Sequence, residues 1–265
     1  MPGLKDSWGL AKTTFREFNK DEATWKAAAS LSSMNSMYSL AALGAGALAS
    51  TALGEGASAF GSGAFALGQF STANGYNASA VGNNAVASGS GSEANGDSST
   101  AVGGTLYVED AEGNVLFDQN TIANEVGATA TGAGAQANGA YSTASGAAAS
   151  SNGAQSTAMG YSSIGGGDGS SAFGGFSEAG GFLSSALGYG SVASSDYATA
   201  VGAAATASGA SSTAVGEYSE AAGAESTAVG GTTFFGLINT YASGTGGSAF
   251  GNGAWATGEY STAVG

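Results

Sequence analysis

Ser212-Thr213-Ala214-Val215-Gly216-Glu217-Tyr218-Ser219-Glu220-Ala221-Ala222-Gly223 runs straight into Ala224-Glu225-Ser226-Thr227-Ala228-Val229-Gly230. Seven residues separate each glycine from the next, and fourteen separate Val215 from Val229. The same beat extends back through Gly132 to Gly188 and Gly54 to Gly103, and forward from Gly244 to Gly265, with Ser195 in the place of one glycine. A fixed period of this kind marks a stacked-repeat architecture, in which each unit buries its face only against its neighbours. A flexible Gly/Ser linker has no reason to hold its phase over such a length.

With glycine numbered as position 7, alanine recurs at position 5 (Ala52, Ala59, Ala66, Ala73) and Ser or Ala at position 3 (Ser71, Ala78, Ala85, Ser92). Side chains alternate faces along a strand, so positions 3, 5 and 7 point one way and positions 4 and 6 the other. The first set is uniformly small, as the inside of a very thin two-sheet coil requires. Glycine then serves the turn, where a positive φ costs it nothing.

Position 6 shows that two units make one coil. Met159, Phe173, Leu187, Val201, Val215 and Val229 alternate with Gly166, Gly180, Ser194, Ser208 and Ala222. Thr157, Ser171, Ser185, Thr199, Thr213 and Thr227 accompany the apolar residues at position 4, while Ile164, Glu178, Val192, Thr206 and Glu220 vary freely on the other side. These features predict an all-β parallel β-roll (solenoid) of 14-residue coils, about 13 of them, forming a rod on the order of 65 Å long. The apolar column lies outside the thin interior, so it reads as an interface between subunits. At roughly 1.5 to 3 kcal/mol for each large side chain buried, these six residues would dominate association. A rival reading covers the column with the chain's own insertions.

Composition excludes several classes of function. The chain has no cysteine and no histidine, which removes thiol chemistry and the commonest general base and metal ligand. Its five basic residues all fall between Lys5 and Lys26, against a net charge of -14. Nucleic acid is therefore not expected as a partner, nor are anionic lipid head groups. Glu109, Asp110, Glu112 and Asp118 are the densest acidic group but lack the ligand spacing of a calcium loop. Gly165-Gly166-Gly167-Asp168-Gly169 reads as a loose turn. No serine has a visible activating partner, so the expectation is no enzyme, no metal and no cofactor.

Domain organisation follows from breaks in the beat. Residues 1–49 read as an N-terminal helical cap or anchor, with Trp8, Phe15, Phe18 and Trp25 as candidate anchor residues. A secretory signal with Leu40 to Ala49 as its apolar middle is the rival reading, although Gly44 and Gly46 dilute it. Roll occupies 50–103 and 132–265. Residues 104–131 form a β-hairpin insertion around Asp110-Ala111-Glu112-Gly113-Asn114, and an apolar loop insertion occupies 231–243, shifting the fourteen-residue phase by one half. Phe234, Phe235, Leu237, Ile238 and Tyr241 in that loop, with Trp255 on a variable outer position, are candidate surface-contact residues. Packing of these aromatics between subunits is the alternative.

The strings quoted at the outset, together with Ser99-Thr100-Ala101-Val102-Gly103, resemble the head repeats of YadA-type trimeric autotransporter adhesins over most of the chain. The resemblance implies a left-handed roll, assembled as a parallel homotrimer, whose outer surface and loops bind a host-surface or matrix ligand. Similar repeats are expected in structural fibres or whiskers of bacteriophages, where an N-terminal segment docks on the particle. The expected function is a non-enzymatic fibre projecting from a virion or bacterial cell surface, with residues 1–49 gripping a docking protein. Retention of Met1 and the aromatic, basic N-terminus lean toward the phage fibre. No neck, heptad stalk or membrane β-barrel is recognisable in the sequence, which departs from a complete bacterial adhesin. The threonine column containing Thr213 and Thr227 leaves ice binding as a reading from another class, and an intracellular scaffold as a third.

Overall fold

Among the described residues, two facing sheets of very short strands, wound from one continuous chain, form the body of the fold. The computed structural model describes residues 50–233 and 238–265. The expected helical segment over residues 1–49, with Trp8, Phe15, Phe18 and Trp25, lies outside the described residues, which contain no helix. The sheets are each 14-stranded and parallel, and the chain crosses from one to the other every seven residues. One sheet is built of two-residue strands such as Thr206–Ala207 and Glu220–Ala221, the other mostly of three-residue strands such as Thr199–Val201 and Thr213–Val215. They are called here the short-strand and long-strand sheets. Along both, except across the two insertions, each residue pairs with the one fourteen further on: Thr199, Thr213 and Thr227 form one row, and Val201, Val215 and Val229 another. With rungs about 4.8 Å apart the roll is on the order of 60 Å long.

The interior follows the parity of the sequence. Ala200, Ala207, Ala214, Ala221 and Ala228 at position 5 are fully buried, as are Ser212, Ser219 and Ser226 at position 3. Thr121 and Thr240 are the bulkiest side chains of the fully buried set. Two backbones this close leave room for little more than methyl and hydroxymethyl groups, and close packing penalises anything larger than the two threonines.

Glycine has two reasons for its position. The first edge carries the chain from the short-strand to the long-strand sheet, as at Phe182-Leu183, and the second edge carries it back, as at Tyr189-Gly190. Before the second edge, glycines such as Gly202 and Gly216 have φ of 133° and 126°, a region that L side chains rarely adopt. Before the first edge, Gly209 and its equivalents lack a positive φ; there a Cβ would overlap the carbonyl of the glycine one coil on. The expectation that glycine serves a positive φ therefore holds for one row in two. Ser195 interrupts the row with ordinary φ, and its hydroxyl donates to the Ser208 carbonyl at 2.6 Å.

Both insertions leave the roll at the second edge and return through the same junction. Leu106–Glu109 and Val115–Gln119 form one antiparallel hairpin, Thr232–Thr233 and Ile238–Asn239 the other. Each follows a Gly-Gly-Thr triplet, at Gly103-Gly104-Thr105 and Gly230-Gly231-Thr232, and ends on Asn-Thr, at Asn120-Thr121 and Asn239-Thr240. The Thr121 hydroxyl lies 2.9 Å from the Gly104 carbonyl and 2.7 Å from that of Gly132, and Thr240 repeats this with Gly231 and Gly251 at 3.0 and 2.8 Å. A buried hydroxyl between two carbonyls fastens the re-entering chain to the coil it left and the coil above.

These junctions correct two boundaries. Residues 104–131 are not all insertion: Ile122–Ala123 and Thr129–Thr131 are strands of the two main sheets, and the roll resumes at Thr121. Glu125 stands in the glycine row there, which disguises a complete coil and explains why fourteen strands per sheet are found where about thirteen coils were expected. Likewise Tyr241–Ala242 is a strand of the short-strand sheet and not part of the apolar loop.

Candidate interaction surfaces

Because positions 4 and 6 point outward, each sheet displays two columns of side chains. On the long-strand sheet, position 4 is Ser or Thr from Ser58 to Thr262 with the single exception of Val86. Position 6 is mixed near the start, with Phe60, Asn74 and Ser88, then continuously apolar from Met159 through Phe173, Leu187, Val201, Val215 and Val229. Phe250 and Val264 continue that column, in register with Val229. They escaped the sequence reading because the second hairpin adds an odd number of half-coils. In the single chain Met159, Phe173, Leu187 and Phe250 are exposed, and Val201, Val215 and Val229 are partly so.

The short-strand face is of a different kind. Its position 4 runs through Glu93, Ile122, Gln136, Ser150, Ile164 and Glu178 with no constant chemistry. Its position 6 holds a ladder of four asparagines that the sequence reading missed. Asn95 donates to Asn124 at 3.0 Å, Asn124 to Asn138 at 2.7 Å and Asn138 to Asn152 at 2.8 Å. Asn124, Asn138 and Asn152 keep the fourteen-residue spacing, and the first hairpin sets Asn95 29 residues before Asn124. Beyond Asn152 the same column continues with Gly166, Gly180, Ser194 and Ser208.

Of the candidate contact residues, Phe234, Phe235 and Leu237 lie outside the described residues, and Ile238 is in the second hairpin. Tyr241 and Trp255 are cross-strand neighbours on the short-strand face, their rings edge-on at 6.1 Å, and Trp255 Nε1 donates to the Asn239 carbonyl at 2.9 Å. This indole is therefore anchored to the base of the hairpin rather than isolated.

Two aspartates at the first edge bridge successive coils. Asp168 accepts from the Ala154 N–H at 2.8 Å and Asp196 from the Phe182 N–H at 2.9 Å, each reaching back one coil. The Gly165–Gly169 stretch is thus a clamped turn of the roll, not a loose one. In the first hairpin, Asp110 Oδ1 accepts from the N–H groups of Glu112 and Asn114 at 3.0 and 2.7 Å, and Oδ2 from the Asn114 amide at 2.8 Å. These bonds, chiefly those from Asn114, hold the Asp110 carboxyl below its ordinary value of 3.8. Tyr107 donates to the Glu109 carboxylate, which raises its phenol pKa. Among the described residues no group of acidic side chains is arranged to hold a metal ion.

The described residues form a long parallel solenoid of stacked coils, with one constant and one variable face. The family profile described as the YadA head domain repeat matches residues 45–71, 61–85, 73–92, 80–104, 137–163, 151–177, 179–205, 207–232 and 242–265. The chain belongs to this family. The matches skip 105–136 and 233–241, the stretches that hold the two hairpins. No match was found among curated proteins.

Proposed function

We propose that the protein is a trimeric attachment fibre projecting from a virion or bacterial cell surface. Three copies, each a left-handed roll, stand parallel with their long-strand faces at a common axis, residues 1–49 dock the fibre on its carrier, and the variable outer surface with the second hairpin meets the host or matrix ligand. The observation that carries this reading is the unbroken apolar column from Met159 to Val264, which is in register over eight rungs and uncovered in the single chain. Burying such a column against two sister copies removes it from water along half the rod. The basic, aromatic character of residues 1–26, on a chain otherwise without cations, supports a separate role for that end.

Native mass measurement tests the assembly. The wild-type chain is expected at three times the monomer mass, and Val201→Asp with Val215→Asp is expected to shift it to monomer. The matched pair Val192→Asp with Thr206→Asp, on the short-strand face, should leave the mass unchanged. A monomeric wild type, or equal effects of the two pairs, would overturn the reading.

A further inference from the structure

We propose that the two edges of the roll are complementary surfaces, the first edge of one copy packing at equal height against the second edge of the next. This rests on the threefold assembly put forward above and names the contacts that set its vertical register. Three slabs whose long-strand faces meet at one axis form a triangular prism. At each corner a first edge faces a second edge, and rotation without translation keeps equal heights together.

Bulky groups occur on both edges at the same level. On the second edge Tyr161, Phe176 and Tyr189 stack edge-on over three successive coils, with ring centroids 5.1 and 5.6 Å apart. On the first edge Phe182 and Tyr197 stack at 5.5 Å beside Leu183. All six are exposed in the single chain. Leu183 follows Phe176 and precedes Tyr189 in the winding, so each lies within about half a rung of its level, roughly 2.4 Å.

Above, the clusters end together, at Ala210-Ser211 on the first edge and Ala203-Ala204 on the second; below, the first edge steps through Asp168-Gly169 while the second still carries Tyr161, so the shared level runs from Phe176 and Leu183 to Tyr189 and Tyr197.

Met159, Phe173 and Leu187, the bulkiest members of the inner column apart from Phe250, occupy the same slab and make the corner contact continuous with the axial one.

The chain has no cysteine, so disulfide trapping is clean. Phe176→Cys with Leu183→Cys, oxidised as intact full-length protein, should give covalent dimers and trimers on a non-reducing gel, and Tyr189→Cys with Leu183→Cys should do the same. Ala148→Cys with Leu183→Cys, offset by two and a half coils, should remain monomeric on that gel. A trimeric mass without cross-links from either matched pair would overturn the edge contact while leaving the assembly standing. Equal cross-linking from the offset pair would overturn the register. A monomeric mass for wild type would remove the assembly and the edge contact together. Rapid labelling of Phe176→Cys in the intact trimer by a soluble maleimide would show that edge to be open and would also overturn the proposal.

Discussion

The first and second edges of the roll make the same two-residue step between sheets, and they solve it differently. Glycines before the second edge hold φ between 105° and 155°; those before the first edge do not. The turned peptides of the second edge accept the hydroxyl of the serine three residues on, as Ser177 to Gly174 at 2.9 Å and Ser219 to Gly216 at 2.9 Å. On the first edge Ser170, Ser184, Ser212 and Ser226 bury hydroxyls with no partner. That edge instead uses Asp168 and Asp196 as clamps between coils. Both hairpins leave from the second edge, and both departures from glycine, Glu125 and Ser195, fall on the first. A seven-residue period in sequence therefore conceals a fourteen-residue physical repeat whose halves are not interchangeable.

Substitution at paired positions would break or sharpen that contrast. Gly216→Ser, on the second edge, should destabilise the roll by about 1–3 kcal/mol more than Gly209→Ser on the first, because only the former adds a side chain at positive φ. Thermal unfolding of the two variants checks this, and equal losses would mean that carbonyl crowding alone demands glycine.

A smaller difference is expected for the serines. Ser177→Ala loses a satisfied bond and should cost about 1 kcal/mol, whereas Ser184→Ala removes an unpartnered buried hydroxyl and should be neutral or stabilising. Denaturant midpoints measured side by side would separate them.

The smallest effect concerns the first hairpin, outside either edge's ladder. Asp110 has its carboxyl pKa depressed in the folded hairpin, so its contribution is complete above the ordinary value of 3.8 and fades as pH falls through the lowered one. Amide exchange at Glu112 and Asn114 should quicken on acidification below that value while the amides of Ala200 and Ala214 stay protected. Quickening of the roll at the same pH would show that the hairpin is not an independent unit.

Much of the coil could be read from residue size alone. Alanine at position 5 and serine at position 3 alternate with larger residues, and a strand sends neighbours to opposite faces, so Ala214 and Ser212 had to be inside and Val215 outside. Nothing comparable announced the coil at Thr121 to Thr131. Glu125 occupies the glycine row, and the hairpin before it adds a number of residues that is not a multiple of seven. That break also separates Asn95 from the rest of the asparagine ladder, whereas Phe250 is hidden by the second hairpin, which adds one half-coil and so moves the apolar column to the other phase. The repeated Gly-Gly-Thr and Asn-Thr frames were present in the sequence, but their meaning depends on each threonine returning to the equivalent pair of carbonyls, Gly104 and Gly132 for Thr121, Gly231 and Gly251 for Thr240.

Sequence by itself determined the period, the parity and hence the thin parallel roll, because these are local properties of a strand and of side-chain volume. Tertiary structure decided which residues share a column across the insertions, which edge each hairpin leaves, and which glycines bear a positive φ. Those depend on how the chain re-enters a stack already formed, and a hydrogen bond between Thr121 and Gly132 or a rung joining Val229 to Phe250 exists only once the coils are in place.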